Sequence, residues 1–207
     1  MAEKLILHEY AASGNCYKIR LTAALLGIVL ERREYDILAG DTRASSFLAD
    51  VNANGRIPVL QIGARFLPES NAACSWLAAG SVLVPSDRFD HADMLRWMFF
   101  EQYNHEPNIA TLRFWRAMVG EDRLTGVQRA LIPAKEAGGA EALALMERHL
   151  AGRDWFVGNS ASLADVCLFA YTHVAGEGGF DLAVYPAIRD WLDRVASLPG
   201  FVAIDAR

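Results

Sequence analysis

What this sequence lacks narrows it first. It has only three cysteines, Cys16, Cys74 and Cys167, odd in number and set far apart. That pattern gives neither a disulfide framework nor a zinc site, and it fits a reducing compartment. No apolar stretch approaches the ~20 residues a membrane-spanning helix needs. The net charge is −5, with no long run of one sign, which argues against nucleic acid as a partner. The five histidines lack metal-ligand spacing, so no metal is expected. Gly176-Glu177-Gly178-Gly179 is not a dinucleotide fingerprint and reads as a loop. There is no internal repeat and no low-complexity tract. Met1-Ala2-Glu3-Lys4 enters a short apolar run without the layout of a signal peptide, so a cytoplasmic protein away from membranes is expected.

What is present is enough for a sizeable core. The chain has 207 residues, of which 53% are hydrophobic and 22% charged, so one or two compact domains are expected. Its character changes near residue 80. Before that point short apolar runs alternate with helical patterns. Lys4 to His8 reads as a buried strand, and Tyr17 to Leu26 as a helix closed by Gly27. Leu30 to Asp36 reads as a second strand and Ala44 to Val51 as a short helix. Pro58 to Ile62 and Arg65 to Leu67 flank Gly63-Ala64 as a hairpin, and Asn71 to Ala79 is a closing helix. The order βαβαββα implies a mixed four-stranded sheet with helices packed on it. Residues 81–87 read as a linker. Over 88–207 the pattern is helical throughout, with a long aromatic-rich stretch from Arg88 to Met118. Glu121 to Ile132 and Ala140 to Leu150 are expected as separate helices, broken by Pro133 and Gly138-Gly139.

Gly55-Arg56-Ile57-Pro58-Val59-Leu60 is the most informative stretch. Proline has no N–H for a sheet, so Pro58 belongs at the first position of a strand or on an edge. A cis bond before it would turn the Ile57 backbone away from its own sheet and towards a peptide-like ligand. Glu69-Ser70 then opens a helix, whose free N–H groups make a site for a carboxylate.

Four segments in this order and spacing carry a family resemblance: Ser13-Gly14-Asn15-Cys16-Tyr17-Lys18-Ile19-Arg20, Arg56-Ile57-Pro58-Val59-Leu60, Glu69-Ser70-Asn71 and Ser162-Leu163-Ala164-Asp165. Over nearly its whole length the chain resembles a cytosolic glutathione S-transferase, bacterial-like and serine-type. The resemblance implies an α/β N-terminal thioredoxin-like domain over 1–80 and an all-α C-terminal domain over 88–207. It also implies a homodimer that detoxifies a small hydrophobic electrophile, peroxide or disulfide, with glutathione as co-substrate. One departure is Asn52-Ala53-Asn54-Gly55, where the family commonly has proline after the first asparagine. That touches loop rigidity.

The chemistry such a protein needs is thiol activation. A free thiol has a pKa of about 8.5, and only the thiolate is nucleophilic. Lowering that by two units takes ~2.7 kcal/mol of preferential anion stabilisation. Ser13, just before the first helix, resembles the family's catalytic serine, and its other reading is a plain N-cap. Asn15 would donate to the sulfur or hold Ser13. Glu69 and Ser70 are assigned by resemblance to the γ-glutamyl end, Ile57 to the cysteinyl amide, and Arg56, with Arg43 second, to the glycyl carboxylate. Pro58 is the structural cis-proline. Tyr10 is a rival to Ser13, because some classes use a tyrosine near the end of the first strand. Cys16 is another rival, since Ser13-Gly14-Asn15-Cys16 keeps the spacing of a redox Cys-x-x-Cys. Helical spacing places Phe99, Tyr103 and Glu106 roughly on one face, which makes Tyr103 and Glu106 the electrophile-site candidates. Ser162 to Asp165 is a capping box that starts a buried helix. Two alternatives to a transferase stand beside it. One is a non-catalytic glutathione-binding or regulatory module; the other is a thiol-disulfide oxidoreductase acting through Cys16.

Overall fold

The computed structural model describes residues 3–206. Met1 and Ala2, the start of the stretch read above as lacking a leader layout, and Arg207 lie outside the described residues. The chain divides into two compact units, Met1–Val84 with Leu198–Arg207, and Pro85–Ser197.

The first unit runs β1 (Leu5–Glu9), α1 (Gly14–Leu25), β2 (Glu31–Glu34), α2 (Ser45–Asp50), β3 (Val59–Ile62), β4 (Arg65–Pro68) and α3 (Ser70–Leu77). The sheet order is β2-β1-β3-β4. β1 is parallel to β2 and antiparallel to β3, and β3 is antiparallel to β4. The mixed four-stranded sheet is therefore present as expected. Helix α1 starts earlier than its apolar periodicity suggests. Ser13 is extended, and its Oγ accepts the Cys16 N–H, so the helix is capped at Gly14. Its far end is a Schellman turn. Gly27, at φ +66°, lets the N–H of Ile28 reach the Ala23 carbonyl while its own N–H reaches that of Ala24.

The pleat of β1 puts Leu5, Leu7 and Glu9 on one face and Ile6 and His8 on the other. Glu9 faces α1, where its buried carboxylate is ion-paired with Arg20 at 3.1 Å and with Arg32. His8 is buried among Tyr35, Phe66 and Gln61. Gln61 donates its amide to the Gly63 carbonyl, which turns its Oε1 towards His8. His8 Nε2 then donates to Gln61 at 2.9 Å, and its Nδ1 accepts the Tyr35 hydroxyl at 2.9 Å. The neutral ring is thereby satisfied on both sides, and burial lowers its pKa below the ordinary 6.5.

The last ten residues correct the expectation that 88–207 forms one helical domain. Leu198–Arg207 belongs with the first unit. Tyr17 donates its hydroxyl to the Val202 carbonyl at 2.7 Å, and Arg32 reaches the Ala206 carbonyl at 3.1 Å. Backbone acceptors in an irregular segment leave no hydropathy pattern, so this return was invisible in the sequence.

The second unit holds α4 (Arg88–Phe100), α5 (Glu106–Arg113), α6 (Gly126–Leu150), α7 (Leu163–Thr172) and α8 (Pro186–Ala196), with no strand among its described residues. Two π-helical stretches, Glu101–His105 and Phe114–Val119, interrupt the long aromatic segment. Helix α6 runs through Pro133 and both glycines, where a break was expected. Pro133 and Arg129, one turn before it, are exposed, so water can satisfy the Arg129 carbonyl that lost its donor. Gly138 and Gly139 are contact points. A Cβ on Gly138 would come 2.8 Å from Asn108 Nδ2, and one on Gly139 would come 2.3 Å from the Phe180 ring. At the centre Trp97, Phe156 and Trp191 meet edge to face. Asp165 lies among them, accepting from the backbone N–H groups of Phe156 and Ser162, the Ser162 hydroxyl and Trp191 Nε1. Burial raises its pKa above the usual value, with the four donors working against that rise.

Two outcomes follow from these buried groups. Asp165→Ala leaves four donors without an acceptor and should cost roughly 3–5 kcal/mol of unfolding free energy, read by urea denaturation. For His8 the folded pKa is depressed, so the unfolded chain takes up the proton first as pH falls. Its contribution is full above about pH 6.5 and declines as pH drops through the folded value. Unfolding free energy measured against pH should fall below about 6.5, with a shallower slope in His8→Gln.

Candidate functional site

The strand register gathers three segments at one end of the sheet. His8 pairs with Val59, and Val59 pairs with Pro68. The exit of β1 towards Ser13, the entry to β3 from Ile57-Pro58 and the exit of β4 towards Glu69-Ser70 therefore emerge side by side. The Ile57–Pro58 peptide bond is cis. Ile57 lies just outside the β3 ladder, and its backbone makes no hydrogen bond among the described residues. Its N–H and C=O are available to an extended peptide laid along this edge.

Glu69 is the N-cap of α3 and has φ +73° and ψ 113°, the one positive φ outside glycine among the described residues. Such a conformation costs of order 1–3 kcal/mol and concentrates at ligand-holding positions. Its side chain is exposed and does not cap the helix. Ser70, the first residue of α3, is buried. Its Oγ donates to Asn15 Oδ1 at 3.3 Å and accepts from Lys18 Nζ at 3.5 Å, while Lys18 Nζ also donates to Asn71 Oδ1 at 3.2 Å. The start of α1 and the start of α3, 55 residues apart, are thus joined by side chains. Lys18 and Asn71 were quoted in the sequence motifs without a role. The available signal was a lysine between Tyr17 and Ile19 on a helix with no exposed face there.

Ser13 is half-buried at the head of α1. Its oxygen accepts the Cys16 N–H at 3.4 Å, which uses a lone pair and leaves the hydroxyl proton free to donate. Capping and donation to a thiolate are compatible at one atom. Tyr10 is held by its backbone, its C=O accepting the Ser13 N–H and its N–H donating to Cys16 Sγ. Cys16 is fully buried, and burial pushes its thiol up to about 12. A buried thiol held in that state is no nucleophile at neutral pH. Its full burial also leaves the sulfur no surface at which to meet a disulfide, which weighs against the Cys16 oxidoreductase reading.

On the far side of Ile57, the Asn52 side chain ties the loop together. Its Oδ1 accepts the Asn54 N–H at 3.1 Å, and its Nδ2 donates to the Arg56 carbonyl at 2.9 Å. Gly55, at φ +64°, lies under Arg43, whose Nη1 would be 2.5 Å from a Cβ there. Arg43 also donates to the Asn54 carbonyl at 3.3 Å, which brings it onto the loop that carries Arg56. Both arginines are exposed. Tyr103 and Glu106 belong to the helical unit, Tyr103 at 80% exposure. The α-helical spacing that paired them does not apply, because Glu101–His105 is π-helical and each turn there carries an extra residue.

A family model described as the glutathione S-transferase N-terminal domain matches residues 12–79, and one for the C-terminal domain matches residues 109–199. The crystal structure of a glutathione S-transferase from Pseudomonas fluorescens Pf-5 is similar at 43% identity and a TM-score of 0.91, covering 98% of this chain and 99% of that one. Maleylacetoacetate isomerase of Rhizobium meliloti (strain 1021) is 27% identical over 206 residues, covering 97% and 95% of the two chains. The glutathione transferase URE2P8 from Phanerochaete chrysosporium, solved with oxidized glutathione, shares the fold at 20% identity and a TM-score of 0.82, over 97% of this chain and 92% of that one. This chain belongs to the glutathione S-transferase family.

The burial of Cys16, Cys74 and Cys167 gives a direct expectation. A thiol reagent such as Ellman's should find no fast-reacting cysteine in the native protein and all three after denaturation.

Proposed function

We propose that this protein is a glutathione transferase in which Ser13 stabilises the thiolate of bound glutathione. The observation that carries the reading is the hydrogen-bonded junction of Asn15 and Ser70. It joins the turn that presents Ser13 to the helix start suited to the γ-glutamyl group. Ser70 and the free N–H groups of α3 receive the γ-glutamyl carboxylate, and Glu69 meets the ammonium. Ile57 pairs its backbone with the cysteinyl amide, and Arg56, with Arg43 beside it, faces the glycyl carboxylate. The tripeptide laid this way runs past the head of α1. The Ser13 hydroxyl and the positive end of that helix then act on the sulfur. The thiol proton leaves to solvent, the sulfur lone pair forms the new bond to an electrophilic carbon, and the bond to that carbon's leaving group breaks with its electron pair, releasing chloride from a chloronitrobenzene.

A titration of glutathione by calorimetry, paired with turnover of a chloronitrobenzene electrophile, tests this. Ser13→Ala should keep glutathione binding but lower kcat about a hundredfold. The thiolate absorbance of the bound tripeptide should then titrate near the free value of about 8.5. Unchanged turnover in Ser13→Ala would overturn the serine mechanism. Tight glutathione binding with no turnover in the wild type would favour a non-catalytic binding module.

A further inference from the structure

We propose that Lys18 is a positioning residue for the γ-glutamyl α-carboxylate of glutathione, acting through Ser70; the inference rests on the glutathione reading above. Lys18 lies in the middle of α1, is fully buried, and donates its ammonium to the first two residues of α3. Lysine is almost never fully buried without a specific partner. Two of its partners, Ser70 Oγ and Asn71 Oδ1, are side chains at a helix start. A cation at that end opposes the helix dipole, so stabilising α3 is not what the arrangement serves. A carboxylate seated on Ser70 reverses the sign, because the ammonium and the helix end then both attract it.

The hydrogen-bond order at Ser70 gives the means. A serine oxygen has one proton and two lone pairs. One lone pair takes the Lys18 donor, and the proton goes to Asn15 Oδ1. Donation from an ammonium into the oxygen makes its O–H a stronger donor. When the carboxylate arrives, the proton turns from Asn15 to the ligand while Lys18 keeps the oxygen in place. The zwitterionic head of glutathione then meets one charge of each sign, the exposed Glu69 for its ammonium and the buried Lys18 behind its carboxylate. A peptide without that carboxylate loses the second half of the match.

The test is a cycle between protein and ligand. Glutathione and its γ-aminobutanoyl analogue, which lacks only the α-carboxylate, are titrated into wild type, Lys18→Met, Lys18→Gln and Lys18→Arg. The wild type should prefer glutathione. Lys18→Met should weaken glutathione about tenfold and leave the analogue within about twofold, whereas Lys18→Arg should retain the preference. With the electrophile saturating, the KM for glutathione should rise in Lys18→Met and kcat stay within about twofold. Should the Met variant fail to fold, Lys18→Gln carries the same comparison, since its amide keeps a donor towards Ser70 without the charge. Equal weakening of both ligands, or of neither, would overturn the inference and leave the transferase reading standing. A wild type that binds neither ligand would instead remove the reading on which it rests.

Discussion

The hydroxyl of Ser70 is the interaction that ties the two helix starts of the first unit together. The sheet register brings the exits of β1 and β4 together, but a register alone fixes strands, not the helices that follow them. Ser70 closes that gap by bonding to Asn15 and Lys18 of α1 from the first position of α3. Two helix N-termini are then held in one corner. Such a corner is a poor place for apolar matter and a good one for a ligand with a carboxylate at one end and a sulfur in its middle.

The first turn of α1 shows how position separates two side chains of nearly equal size. Ser13 and Cys16 are joined by a single hydrogen bond. Ser13 sits at the rim, where its proton can be offered outward. Cys16 faces inward, and burial makes its anion too costly to form. The spacing resembles a redox motif, but the first of its two positions holds a hydroxyl and the second a buried thiol.

The sheet, its strand order and the helical character of the second unit were legible because they rest on periodicity and on Gly and Pro at turns. The candidate site residues Ser13, Ile57, Glu69 and Ser70 came from the family motif, and the strand register places their three segments at one end of the sheet. Other features escaped for physical reasons. Pro133 and the glycine pair look like breakers by local preference, yet solvent at Pro133 and close packing of Gly138 and Gly139 let α6 run on. The π-helical stretches shift the phase of the long aromatic helix without any residue that announces them, which undid the pairing of Tyr103 with Glu106. Lys18 escaped because a lysine in a helix ordinarily reads as solvated surface.

The return of Leu198–Arg207 to the first unit has a consequence for how the chain is made. A domain whose first helix hangs its Tyr17 hydroxyl on Val202, 185 residues later, is discontinuous in the order of synthesis. The βαβαββα portion emerges from the ribosome long before the strand of backbone that completes it. Its nascent form must wait without the bond to Val202, and a fragment cut at the linker would lack it permanently.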